Sequence, residues 1–477
     1  MKNQTARNSL SFALASLTGL LLFFVAPAHS AAVGDLIRYL PVQDGGRVKP
    51  YDTFARETLK LVYGKEEYEK KPGTEVIFTW MLSPEAWKDK AIFEARNREV
   101  LKGLGLEDKR YFTGDELFGT DRFILLRQEL QAKRESKEKL TPYFQALQRL
   151  ENQFFIFQEV ASGRMLRVLP SKDTDTWLSV AELPEEFQKP FMELSKAFVG
   201  VLGAKSSGGD AELDEKRGIL DLAVTSYMGA VKAQYPEKYN YETPIKVEVH
   251  YNDFHPFRIA YVIYAIAAFL LLMGWAVSKP SFFKVGVVLT ILGFLLHSYG
   301  FGLRIFLTGR PPVSNMYETV VWVSWGALVF AFILEAVYKF RFIITAGSLV
   351  AAFSLIIADT APVVLDPSIE PLEAVLRSNY WLLIHVMPIS ISYAAFFLAF
   401  ALGDIGLIYY LRGEKQHQKV IKDLAQAIYR SVQIGIVFLA PGIILGGIWA
   451  DYSWGRFWGW DPKETWALIA LLGYLAV

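Results

Sequence analysis

The chain contains no cysteine. Disulfide staples, cysteine-ligated zinc, iron–sulfur clusters and thiol redox chemistry are therefore excluded from its 477 residues. Any covalent chemistry on sulfur would have to use the thiols of another molecule. Histidine is scarce, at six residues, so few imidazoles are available as ligands or bases. An excess of charge is also lacking: 50 Lys and Arg against 49 Asp and Glu leave a net +1, which removes the signature of a polyanion binder and excludes nucleic acid as a partner. What is abundant is apolar surface. With 52% hydrophobic and 14% aromatic residues, the chain is too apolar for an ordinary soluble enzyme.

At the N-terminus, Lys2 and Arg7 precede an apolar run from Leu10 to Val25, followed by Ala26-Pro27-Ala28-His29-Ser30-Ala31. This has the form of a secretory signal over residues 1–30, with cleavage expected after Ser30. An uncleaved anchor is the alternative, although the run is shorter than the roughly 20 residues a full span needs. Either way the following segment is exported.

Residues 31–255 have ordinary polarity and read as a mostly helical exported domain. Thr141-Pro142 offers a cap and a first-turn proline, and Leu140, Tyr143, Phe144, Leu147, Leu150 and Phe154 then recur at helical spacing. Ser206-Ser207-Gly208-Gly209 reads as a turn or short linker. Ile245, Val247, Val249 and Tyr251 alternate with Lys246, Glu248 and His250, which predicts a strand.

Residues 256–477 are different. Apolar runs near 259–277, 283–303, 317–338, 342–358, 381–411 and 431–449 each approach the length of a membrane span. The fold class expected is therefore a polytopic α-helical membrane protein with an N-terminal, mostly helical exported domain. If the first span enters from outside, the inside connections hold Lys279, Lys284, Lys339, Arg341, Arg412, Lys415, Lys419 and Lys422. The outside connections hold Arg304, Arg310, Arg377, Arg456 and Lys463, so the bias of eight to five supports this orientation. A last apolar run starts at Trp466. The twelve residues from there to Val477 make roughly 18 Å of helix, so the sequence is expected to stop inside a span.

The stretch from Trp449 to Trp466 carries the strongest chemical signal. Its 18 residues hold five tryptophans, Trp449, Trp454, Trp458, Trp460 and Trp466, with Tyr452 and Phe457. An interfacial aromatic belt accounts for one or two rings per helix end. It does not account for the glycine-spaced Trp454-Gly455-Arg456-Phe457-Trp458-Gly459-Trp460, which reads instead as a platform for a large, planar, apolar ligand. Asp461 then suits a helix cap, Pro462 the first helical position and Glu464 the third. The capped end, beside Arg456 and Lys463, is a place where an anionic group is favoured.

His385 lies four residues after Trp381, on one helix face near the outer end of its span. A structural imidazole and an axial ligand for iron are both open readings. His297 sits inside the second span with Gly300 and Arg304 on its face, and Arg310-Pro311-Pro312-Val313-Ser314-Asn315-Met316-Tyr317-Glu318 returns from the outside. For these, packing and a ligand path are equally open. Asp404 and Glu335 are expected to snorkel toward the inner surface.

The segment Trp454-Gly455-Arg456-Phe457-Trp458-Gly459-Trp460-Asp461-Pro462-Lys463-Glu464-Thr465-Trp466-Ala467-Leu468 resembles the signature of the system II cytochrome c synthase family, of the CcsA/ResC type. The likeness runs over roughly 259–477 and includes Pro312-Val313-Ser314-Asn315-Met316-Tyr317-Glu318 and Tyr380-Trp381-Leu382-Leu383-Ile384-His385-Val386. The exported domain, opening with Val42-Gln43-Asp44-Gly45-Gly46-Arg47-Val48-Lys49-Pro50, is similar to that of fused CcsBA members.

The resemblance implies a bacterial inner-membrane protein that brings haem b, as substrate, to the outer face. It implies that His385 ligates the haem iron and that Trp381, Trp454, Trp458, Trp460, Asp461 and Arg456 shape the haem site. His297 is a weaker match to a membrane histidine of the haem path. Apocytochrome c would be the acceptor, through the thiols of a Cys-x-x-Cys-His segment, with room for a thiol-reducing partner. The family places further histidines downstream of the tryptophan loop, beyond Val477. A haem exporter without ligase activity and a non-haem membrane transporter are the competing readings.

Overall fold

The computed structural model describes residue 35 and residues 37–107, 109–207, 209–362, 364–372 and 378–477. The expected signal at 1–30, with His29, lies outside the described residues, as does Arg377. The chain divides into two compact units, one ending at Asn252 and the other beginning at Asp253.

The first unit is helical with small sheets. Its four-stranded antiparallel sheet runs in spatial order Arg47–Pro50, Pro41–Asp44, Arg167–Leu169, Leu178–Ser179. The hairpin between the first two strands closes on Gly45 and Gly46, both at positive φ (+58° and +79°), which a two-residue turn matching the strand twist requires. Helix Pro142–Ala161 starts at the predicted proline and buries Phe144, Leu147 and Leu150. Thr141 is extended at the cap position, but its side chain makes no capping bond. Of the turn expected over 206–209, Ser206 and Ser207 instead end helix Glu185–Ser207, and Gly209 precedes helix Asp210–Gln234.

The strand expected over 245–251 is instead helix, Glu242–Phe254. Its buried positions are Ile245, Glu248 and Val249, the i, i+3, i+4 spacing of a helix face. The alternation misled because Glu248 belongs to the core face: its carboxylate takes a two-point bond from Arg47 (2.8 and 2.9 Å) and one from the Thr53 hydroxyl (2.8 Å). A charge so paired can be buried, and the polarity pattern then no longer reports the buried face.

Among the described residues of the whole chain, six helices are long and apolar enough to cross a membrane: Glu242–Ala276, Pro280–Thr308, Met316–Tyr338, Phe342–Thr360, Asn379–Leu411 and Glu414–Trp454. The chain is a multi-pass helical membrane protein. In the second unit, α1 is Pro256–Ala276, α2 Pro280–Thr308, α3 Met316–Tyr338, α4 Phe342–Thr360, α5 Asn379–Leu411, α6 Glu414–Trp454 and α7 Pro462–Leu475. They pack as antiparallel neighbours, α1 with α2, α3 with α4 and α5 with α6. Glu335 does not simply snorkel: it accepts from the backbone N–H of Arg341 at 2.8 Å and so ties the end of α3 to the start of α4.

One polar knot stands out at the ends of α2 and α3. Arg304 and Glu318 are both about 1% exposed and bond at 2.6 Å. Arg304 also donates to the Pro367 carbonyl at 2.9 Å and lies over the Tyr317 ring. Asn315 caps α3 through the Glu318 N–H at 2.8 Å, while Arg310 donates to the Glu370 carbonyl at 2.7 Å. The loop after α2 and the loop after α4 are thus held against each other.

Candidate functional site

The site is built where α5 and α6 lie side by side. α5 begins as ordinary helix at Asn379–Trp381, widens to a π-turn over Leu382–Val386, and resumes at Met387. The cause of the widening is local. Pro388 has no N–H to give to Ile384, and its ring would strike that carbonyl in a regular helix. The Met387 N–H instead reaches five residues back, to the Leu382 carbonyl. His385 sits inside this turn, a placement common at functional sites.

Opposite it, α6 presents Gly442, Gly446 and Trp449 on one face. The His385 Nδ1 lies 2.8 Å from the Gly442 carbonyl. A carbonyl can only accept, so Nδ1 carries the proton and Nε2 keeps its lone pair. Gly446 forms the shelf under the ring: a Cβ there would fall 2.4 Å from His385 Cε1. The Trp381 ring stacks on Trp449 with centroids 6.1 Å apart and planes at 12°, and the His385 ring meets the same Trp449 nearly edge-on at 5.5 Å. Trp381 and His385 are therefore brought together as expected, and the ring between them is Trp449. Its spacing from Gly442 and Gly446, seven and three residues on, is the sequence signal for that face.

The tryptophan loop follows directly. α6 ends at Gly455, in the left-handed region at φ +67°. Phe457 then folds back onto Gly447, where a Cβ would meet its ring at 2.8 Å, one residue along from the His385 shelf. The Arg456 guanidinium lies against Gly459, where a Cβ would fall 2.1 Å from Nη1. Trp458 and Trp460 meet edge to face at 5.9 Å. Trp460 has φ +56°, an uncommon and strained conformation for a bulky residue, and the residue is 70% exposed. Trp454 is also exposed. The loop thus holds large flat rings open on one side.

Asp461 is the expected cap of α7. Its Oδ1 accepts from Lys463 N (2.7 Å) and Glu464 N (2.9 Å), and Glu464 reaches back to the N–H groups of Asp461 (3.3 Å) and Gly459 (2.8 Å). The amides at this helix start are already used within the chain. An anionic group is left to the side chains of Arg456 and Lys463, both exposed, rather than to the helix end itself.

His297 lies elsewhere, fully buried on α2 among Phe257, Tyr264 and Phe301. Its Nδ1 is 3.4 Å from the Tyr264 hydroxyl, and the Val321 backbone lies beside the ring. Among the described residues it shares no ring contact with the His385 cluster.

Comparison with known proteins places these residues in a family context. Residues 313–477 match the model of the cytochrome C assembly protein family. Protein NrfI of Wolinella succinogenes is 27% identical over 456 residues, covering 91% of this chain and 48% of NrfI. The chain thus spans about half the length of that relative. The cytochrome c biogenesis protein CcsA of Guillardia theta is 31% identical over 219 residues, 41% of this chain and 71% of that protein. CcsA of Synechococcus sp. (strain CC9902) is 32% identical over 246 residues, 44% and 80% of the two chains.

Proposed function

This chain belongs to the CcsA family of cytochrome c biogenesis proteins, and from that premise we propose that it carries haem b to the outer face of a bacterial inner membrane and presents it to apocytochrome c. The observation that carries the reading is the His385 imidazole. Its Nδ1 proton is held by the Gly442 carbonyl at 2.8 Å, which leaves Nε2 as a fixed, neutral donor of the kind that ligates haem iron.

The neighbouring residues take supporting roles. Trp449 meets the imidazole and Trp381 stacks on Trp449, and Trp454, Trp458 and Trp460 offer apolar faces to the porphyrin. Arg456 and Lys463 pair with the propionates, while Asp461 keeps the loop and α7 in register. Haem supplies vinyl groups, to which two thiols of a Cys-x-x-Cys-His segment add, each S–H across a C=C to form a thioether. The chain has no cysteine, so both sulfurs come from the acceptor. The domain over 31–255 stands on the outer side and receives the apocytochrome. His297 lies along a route through the bundle, as a packing residue or a transient contact.

The test is spectroscopic. The chain purified from membranes is expected to show a Soret band, which His385→Ala shifts or abolishes; an unchanged band removes His385 as ligand, and no band in the wild type sinks the haem reading. Co-expression with an apocytochrome c separates ligation from carriage, since a carrier alone yields no thioether-linked haem.

A further inference from the structure

A cleft of about 300 Å³ opens on the flank of the membrane unit between α3 and α6, lined by Leu334, Arg430, Gln433, Ile434, Val437 and Phe438. Its walls are apolar except at one end. There the Arg430 guanidinium donates to the Gln433 side-chain oxygen at 2.8 Å, a neutral partner, and among the described residues no carboxylate pairs with it. Away from Arg430, the Phe438 ring leans on Phe330 at 6.1 Å and bridges the two helices.

Helix geometry places this charge relative to the bilayer. From Arg430 to Trp454, α6 rises by roughly 36 Å, somewhat more than one hydrocarbon thickness. With the tryptophan loop at one surface, Arg430 lies at the other. α3 agrees, since Lys339 follows its last residue, Tyr338, one turn beyond Leu334. Lys415, Lys419 and Lys422 precede Arg430 on α6.

A cation at headgroup depth, heading an apolar trough that runs toward the midplane, has the chemistry of a phospholipid seat. We infer that the cleft holds one anionic phospholipid, with its phosphate on the Arg430 fork and an acyl chain along Ile434, Val437 and Phe438. A guanidinium whose protein partner is neutral favours a net negative headgroup over a zwitterionic one, and planar two-point recognition of phosphate is what arginine does well. This seat is independent of the haem site, on the far side of the membrane from it.

Native mass spectrometry of the full chain tests it, with phosphatidylglycerol or phosphatidylcholine of matched chains added to the micelles. The wild type retains one phosphatidylglycerol in preference to phosphatidylcholine. Arg430→Lys, which keeps the charge but not the fork, lowers that retention in part, and Arg430→Gln lowers it about fivefold. Val437→Trp, which fills the trough, lowers retention of both lipids. An unchanged melting temperature and Soret band show that each variant is folded. Equal retention of the two lipids by the wild type, or phosphatidylglycerol retention untouched by Arg430→Gln, overturns the inference. A dimer in place of the lipid-bound species also overturns it, by assigning the face to a second copy of the chain.

Discussion

The Nδ1 of His385 and the carbonyl of Gly442 stand 2.8 Å apart, a bond that joins α5 to α6 and fixes which imidazole nitrogen is free. The ring can make that bond only because α6 carries no side chain at Gly446, directly beneath it. Gly446→Ala puts a methyl group 2.4 Å from Cε1, and the ring has to leave the carbonyl. Haem content per protein, read from the Soret band, is expected to fall to near the level of His385→Ala. Gly403→Ala on α5 is the control, since a Cβ there meets nothing within 4 Å. Equal haem content in both variants would count against the shelf.

The Arg304–Glu318 pair is expected to behave as a buried clamp. Removing one partner by Arg304→Met or Glu318→Leu leaves the other charge buried without its counterpart, and costs about 3–5 kcal/mol. The double variant Arg304→Met with Glu318→Leu costs less than the two singles summed, because no charge is then stranded. Denaturation of the purified protein in a mixed-micelle titration measures the cycle, and strict additivity is the result that refutes the coupling.

These two sites show what could be read in advance. The spans and the capping box at Asp461 rest on neighbours within a few residues, and local pattern displays them. Helix Glu242–Phe254 was hidden because Glu248 is neutralised by Arg47, about 200 residues away in sequence, so its polarity said nothing about exposure. Arg304 and Glu318 were each visible, but their bond depends on how α2 and α3 pack. Trp449 was visible as one tryptophan among five; its place between Trp381 and His385 comes only from the pairing of α5 with α6.

Asp461 separates capping from ligand contact. Asp461→Ala loses the bonds to Lys463 N and Glu464 N and should cost about 1 kcal/mol, with α7 fraying and the tryptophan loop becoming more sensitive to protease. Asp461→Ser keeps a capping oxygen and is expected to restore both protease resistance and haem content. If serine restores resistance but not haem, the carboxylate itself takes part in binding.

Pro388 gives the sharpest test of the π-turn. The widened turn exists because residue 388 has no N–H to offer and its ring excludes the Ile384 carbonyl. Pro388→Ala removes both causes, and α5 can then close to a regular helix. Absorbing the extra residue turns the preceding segment by about 100° relative to the rest of α5. Trp381 and His385 would swing off Trp449 and away from the Gly442 carbonyl, while the helix gains a backbone hydrogen bond. The expected outcome is a divergence between two measurements: haem content falls several-fold, and the melting temperature of the haem-free protein stays level or rises. A parallel loss of both means that Pro388 serves stability alone. Wild-type haem content in the variant would show that the π-turn does not aim His385 at all.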